Sequence, residues 1–208
     1  MDFKHFVNSI PIIQERTLGG LDAHFRLAPK MRLKYSEEKI IASNPKKAAV
    51  LALFYPNEHN ETCFLLTQRA SYNGTHSAQI SFPGGKIETT DVDLEATAIR
   101  ETYEEVGVSK DLITIIRKIT DVYIPPSNFL ATPFLAFSDK KPVIEINHEV
   151  DHTFDVKLKD LLNDENIDSI NITTSYAKNI DVPCFKLNNY IVWGATAMIL
   201  NEIKELLK

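Results

Sequence analysis

The chain has 208 residues, enough for one domain with a well-buried core, and its 44% hydrophobic and 25% charged residues are ordinary for a globular protein. A net charge of −5 argues against a general nucleic-acid surface, which usually needs a basic face, but leaves room for an anionic substrate in one locally positive cleft. Two cysteines, Cys63 and Cys184, make neither a disulfide framework nor a zinc set, so both read as small buried hydrophobes.

Residues 1–18 mix apolar and polar positions and predict a short helix around Phe3 to Ile10, then a turn at Leu18-Gly19-Gly20. The apolar stretch Ile10 to Ile13 is broken by Pro11 and too short to span a membrane or direct export. The tail Leu206-Leu207-Lys208 is not a peroxisomal tripeptide. No membrane partner and a cytoplasmic location are therefore expected. Arg26, Lys30 and Arg32 follow; they read as surface charges, with a substrate phosphate as the alternative for one or two of them.

From Lys47 the texture changes. Ala48 to Tyr55 is a continuous apolar run, which predicts a strand buried on both faces. Pro56 to Glu61 is a turn by composition, and Thr62 to Thr67 a second strand, so the pair predicts a hairpin. Gln68 to Ser81 (QRASYNGTHSAQIS) is a long polar loop returning into Phe82-Pro83-Gly84-Gly85, and long loops of this kind are often functional. Leu112 to Thr120 and Leu130 to Phe137 read as strands. Between them Pro125-Pro126 cannot continue a central strand, so the connection is stiff, either an elbow or part of a pocket. His148 and His152 would share a face only in a helix, and read as surface residues. Leu158 to Leu162 suits a short helix, Asn163 to Asn179 an irregular or hairpin excursion, and Ala195 to Leu207 a C-terminal helix entered through Trp193, a packing anchor.

The most informative stretch is residues 84–108, GGKIETTDVDLEATAIRETYEEVGV. A glycine turn leads into a polar loop and a helix, with Asp91 or Thr90 as N-cap and Gly107 as the stop. Ile99, Tyr103 and Val106 recur at helical spacing and are expected to face a core. Glu101, Glu104 and Glu105, at i, i+3 and i+4, share one arc, where their like charges repel. A hard divalent cation, Mg²⁺ or Mn²⁺, would compensate them through oxygen ligands, and a solvated acidic face is the plain alternative. Gly84-Gly85-Lys86 is not a nucleotide-binding P-loop, because Ile80 and Ile87 stand where that motif needs Gly and Ser or Thr.

The stretch resembles the Nudix box, G-x5-E-x7-R-E-U-x-E-E-x-G-U with U aliphatic. Arg100 to Val108 matches its second half, with Thr102 in a U place. The front has one extra residue, with Asp91 near the position of the first Glu, as in the coenzyme A pyrophosphatase branch. Leu65-Leu66-Thr67-Gln68-Arg69-Ala70 and Phe82-Pro83-Gly84-Gly85 are similar to that branch's own signature, from which Gly74 (for Arg) and Ala78 (for Gly) depart, while Arg69 and Lys86 remain with His76 nearby.

This resemblance implies the Nudix fold, an α/β/α sandwich with a mixed β-sheet, over residues 45–208 including the C-terminal helix, with 1–44 an extension of the same domain. It implies metal ligation by Glu101, Glu105, Glu104 and the Gly84 carbonyl, and a positioning ion pair from Arg100. Glu101 or Glu149 would be the general base, and Arg69, Lys86, Ser127, Asn128 and Phe129 would contact substrate. The implied reaction is metal-dependent hydrolysis of the diphosphate of coenzyme A. ADP-ribose or a dinucleotide is the alternative substrate, and a non-catalytic nucleotide sensor the alternative class. No nucleic acid is expected as partner; a homodimer is compatible.

Overall fold

The computed structural model describes residues 1–30, 32, 36–70, 79–174 and 177–208. Helices α1 (Phe3–Glu15), α2 (Gly20–Arg26) and α3 (Glu37–Ala42) precede strands β1 (Lys46–Pro56), β2 (Thr62–Arg69), β3 (Ile80–Ser81) and β4 (Gly84–Lys86). Helix α4 (Leu94–Val106) leads to β5 (Thr114–Lys118), β6 (Val122–Ile124), β7 (Phe129–Phe137) and β8 (Val150–Lys157). The chain ends with α5 (Leu158–Leu162), β9 (Ile167–Thr174), β10 (Ala177–Leu187), β11 (Tyr190–Trp193) and α6 (Gly194–Leu207).

The apolar run at Ala48 becomes the central strand because both of its faces find cover. Ala49, Leu51, Leu53 and Tyr55 join one core with Ala98 and Val106 of α4. Ala52 and Phe54 join the other with Phe3, Phe6 and Ile13 of α1 and the buried side of α6. That period-two split, which β2 repeats with Cys63 and Leu65 against Phe64 and Leu66, makes the sheet the middle layer of a sandwich. Phe6, Phe54 and Phe64 pack in series with tilted rings at centroid distances of 5.0 and 5.6 Å, and burying each stabilises by about 1.5–3 kcal/mol.

The main sheet is mixed. β1 pairs with β7 in parallel from Lys46↔Phe129 to Phe54↔Phe137, and antiparallel with β2 and β4. β5 and β6 extend it beyond β7, and β8 beyond β2. The hairpin between β1 and β2 closes as composition predicts. Asn57 accepts from the backbone N–H groups of His59 and Glu61, and Asn60 takes a left-handed φ of 58°. A second, antiparallel sheet of β9, β10 and β11 is the hairpin form of the expected excursion.

Several expectations need correction. α1 runs past Pro11 to Glu15, since a proline removes one helical hydrogen bond and the buried Ile13 beyond it still packs. The N-cap of α4 is Asp93, accepting from Ala96 N. Ile99 and Tyr103 do not line a core, and Tyr103 is 59% exposed. The buried stripe instead runs through Ala98, Thr102, Glu105 and Val106. Thr102 tolerates this because its hydroxyl donates to the Ala98 carbonyl at 2.7 Å. Strand structure in 112–120 narrows to β5, preceded by a 3-10 turn, and the Pro125-Pro126 connection contains β6 and a second 3-10 turn. His148 lies before β8 and His152 within it, so they do not share a helical face.

Both cysteines are buried and free. Burial, with the charges of Asp155 and Glu61, pushes the Cys63 thiol up to about 11, and burial raises Cys184 too. Neither thiol is therefore expected to react with iodoacetamide in the native protein at pH 8, whereas both should alkylate in denaturant. Mass spectrometry of the two states reads this directly; rapid native labelling of either would contradict the packing.

Candidate active site

The site is built where α4 passes the short glycine strand β4. Gly84 and Gly85 are needed there for close approach. A Cβ on Gly84 would sit 2.3 Å from the Ala49 carbonyl oxygen, and one on Gly85 would sit 2.4 Å from Glu101 Oε1. The bare backbone lets two carboxylates from adjacent turns of α4 reach the sheet. Glu105, only 4% exposed, accepts from Gly84 N–H at 3.0 Å. Burial pushes its carboxyl up to about 7 against the opposing pull of that N–H and of Arg69. Glu101 is likewise raised by burial, offset in part by Arg100.

Arg100 organises the front of this helix. Its Nε and Nη2 fork onto both oxygens of Asp91, at 2.9 and 3.0 Å, and its Nη1 reaches Glu101 at 3.0 Å and Glu104 at 2.9 Å. Asp91 also accepts from Glu88 N–H and from Thr97 Oγ1. The Arg100 bond first, against burial, holds Asp91 well below the usual carboxylate range. Asp91 is thus the anchor of Arg100 rather than a helix cap, the role that the extra loop residue obscured in the sequence. Glu104 is the outermost of the three glutamates, its side chain 50% exposed.

On the other side, Arg69 at the end of β2 lies between Glu105 (3.6 Å) and Glu149 (3.2 Å). Glu149 reaches the site because β8 pairs with β2, with Arg69 opposite Val150. Arg69, Glu101, Glu104, Glu105 and Glu149 border one cleft of about 460 Å³, with Arg100 and Asp91 behind them rather than in its lining. Lys86, Ser127 and Phe129 also line it. Asn128 does not: it adopts a left-handed φ of 53°, its amide donates to the Ser43 carbonyl, and its oxygen accepts from Tyr123 Oη. Trp193 lines the cleft too, a position that the packing role assigned from sequence did not include. Gly74, His76 and Ala78 lie outside the described residues.

Among the described residues no three His, Cys, Asp or Glu side chains already converge as a metal cluster; the carboxylates are turned towards Arg69, Arg100 and Gly84. The donors still suit a hard divalent cation. They are oxygens only, Glu105 is a buried carboxylate with Glu101 half-buried beside it, and the missing side chain at Gly85 is what lets the Glu101 carboxylate stand against β4.

The family model described as the NUDIX domain matches residues 45–171, more than half of the chain. The chain belongs to the Nudix family. Among curated relatives, Nudix hydrolase 15, mitochondrial, of Arabidopsis thaliana is 32% identical over 163 residues, covering 75% of this chain and 56% of its own length. The chain thus spans little more than half of that plant Nudix protein. An uncharacterized Nudix hydrolase NudL of Enterobacter sp. (strain 638) is 28% identical over 194 residues, 90% of this chain and 93% of that one. The NUDIX domain of Shewanella oneidensis NrtR, solved with ADP ribose, aligns over 86% of this chain and 97% of that chain with TM-score 0.52 and 16% identity. A MutT/nudix family protein from Enterococcus faecalis aligns over 85% and 71% with TM-score 0.53 and 15% identity. At these identities the structures share the Nudix fold. No helix among the described residues is long and apolar enough to cross a membrane.

Proposed function

We propose that the cleft hydrolyses the diphosphate linkage of coenzyme A or its derivatives, giving 3′,5′-ADP and 4′-phosphopantetheine. The observation that carries the reading is the meeting of Glu101, Glu105, Glu149 and Arg69 in one cleft, with the flanks of the coenzyme A pyrophosphatase-like signature forming its walls at Arg69 and Phe82. Glu101 and Glu105, with Glu104 and the Gly84 carbonyl, would hold Mg²⁺ or Mn²⁺. When bound, the cation neutralises the diphosphate and acidifies a water. Arg69 and Lys86 add positive charge for the phosphates. Glu101 or Glu149 takes a proton from the attacking water, whose oxygen bonds to one phosphorus as the bridging P–O bond breaks. Arg100, forked onto Asp91, holds Glu101 and Glu104 in place.

Two substitutions probe these roles. Gly85→Ala is expected to keep the fold, because the added methyl meets the tip of a flexible glutamate, but to displace Glu101 and lower kcat at least tenfold. Glu149→Gln should lower kcat with little change in KM if Glu149 is the base; a loss confined to KM would leave Glu101 as the base. The substrate itself is tested by a panel of coenzyme A, ADP-ribose, NADH and diadenosine polyphosphates. Highest kcat/KM on coenzyme A supports the reading. Preference for ADP-ribose or a dinucleotide, the alternative that Gly74 keeps in view, would overturn it, and binding without turnover would favour a sensor.

A further inference from the structure

The cleft does not end at the carboxylates. Lys86 of β4, Ala48 of β1 and Ala131 of β7 stand directly opposed across its floor, and the row continues to β6, where Val122 pairs with Ala131 and Ile124 lines the cleft. The two middle positions are alanines that line the cleft, so a flat or extended ligand can lie across the sheet between them and α6. Three inter-strand steps separate the β4 end from the β6 end, about 14 Å. A diphosphate seated among Glu101, Glu105 and Arg69 therefore cannot also occupy the far end.

That far end carries its own polar equipment. Arg32, from the segment before β1, lines the cleft, with Nη1 donating to the Tyr123 carbonyl at 3.0 Å and lying 3.2 Å from Met198 Sδ. These contacts fix a guanidinium to the wall where β6 meets α6. Ser127, in the turn after β6, also lines the cleft, and its Oγ is shielded from solvent with no hydrogen-bond partner among the described residues. A buried hydroxyl without a partner costs stability and calls for an explanation; rotation about χ1 towards the cleft that Ser127 lines would let a ligand oxygen supply one. The same wall includes Gly194 and Ala195, where α6 begins with no side-chain cap and no acidic residue in its first turn, which adds a weak positive field.

We propose that this end is a second anion subsite, in which Arg32 and Ser127 Oγ read a phosphate monoester carried on the substrate's ribose. The guanidinium offers planar paired donors suited to phosphate oxygens, and the serine hydroxyl can donate one more. The ligand class is a nucleoside diphosphate derivative with an additional sugar phosphate, which deepens the coenzyme A reading and rests on it. The N-terminal segment thereby becomes a specificity element of the cleft, supplying a charge that lies outside the family-matched residues 45–171.

The test is binding, kept separate from turnover. Calorimetric titration of the full chain with 3′,5′-ADP and with 5′-AMP, without metal and with chelator, compares ligands that differ only in the 3′-phosphate. The wild-type protein is expected to bind 3′,5′-ADP at least tenfold more tightly. Arg32→Ala should bring the two within about twofold while leaving 5′-AMP affinity unchanged. Ser127→Ala should reduce the preference about threefold, and serves if Arg32→Ala does not fold. Equal or undetectable binding of both ligands by the wild-type protein, or a preference that survives in the variants, overturns the subsite. Failure to cleave coenzyme A with the preference intact would instead remove the proposed reaction and leave the subsite standing.

Discussion

Glu105→Gln is expected to lower kcat/KM for diphosphate hydrolysis by on the order of a hundredfold or more, since even outer partners of a metal site cost 10–100-fold, while the protein stays folded. The two effects separate for a physical reason. Glu105 is buried, and its position is shared with Gly84 N–H and Arg69. Glutamine keeps the shape and can still accept from Gly84 through its amide oxygen, so packing is retained. The substitution also removes a charge that burial disfavours, so Tm should stay level or rise slightly. What is lost is the anionic oxygen that a divalent cation needs. Kinetics at saturating Mg²⁺ and a thermal melt on one preparation read both quantities. Turnover near the wild-type level would remove Glu105 from the machinery, and a collapsed melt would mean that its role is structural.

The second large effect concerns the fold. Glu202 of α6 is completely buried and collects four donors: Gly20 N–H at 2.9 Å, Thr120 N–H at 3.1 Å and Oγ1 at 2.6 Å, and His24 Nε2 at 3.0 Å. It fastens α2 and the segment just after β5 to the C-terminal helix. Glu202→Ala leaves those donors buried without an acceptor and should destabilise by about 3–5 kcal/mol, measured as a lower urea midpoint with an unchanged slope. Burial alone would raise the Glu202 carboxyl, but the bonds from His24, Thr120 and Gly20 outweigh it and hold it below its ordinary value. A carboxyl depressed in the folded state stabilises fully above its unfolded pKa and loses that contribution as pH falls through the folded one. The variant's stability should consequently fall less between pH 5 and pH 3 than that of the wild-type protein. Equal urea midpoints would show that the cluster contributes nothing.

Much of the architecture was legible because its signals are local. The run from Ala48 to Tyr55 has no polar face to expose, Asn57 and Asn60 close its hairpin, and Gly107 ends α4 in the left-handed conformation that glycine favours, φ 74°. Box spacing likewise grouped Glu101, Glu104 and Glu105 on one arc. What escaped depends on contacts between distant segments. The fork of Arg100 onto Asp91 requires the loop after β4 to fold back on the helix, and periodicity cannot count that. The buried stripe of α4 was misplaced by one residue because Tyr103 scores as hydrophobic, whereas Thr102 hides its hydroxyl against Ala98. Glu149 reaches the cleft only through the pairing of β8 with β2, 80 residues of sequence away from its partner Arg69. Asn128 looked like a pocket residue by its neighbours, yet the left-handed turn that places Ser127 and Phe129 in the cleft directs Asn128 to Ser43. Arg32 carried a charge and nothing else to mark it, until the chain brought it over β6.

The most direct test of the central claim is the incubation of the purified chain with coenzyme A and Mg²⁺ or Mn²⁺, with products resolved by chromatography alongside a chelator control. 3′,5′-ADP and 4′-phosphopantetheine should appear in equal amounts, and neither product with chelator present. Intact coenzyme A at millimolar metal, or cleavage that persists with the metal removed, would contradict the claim.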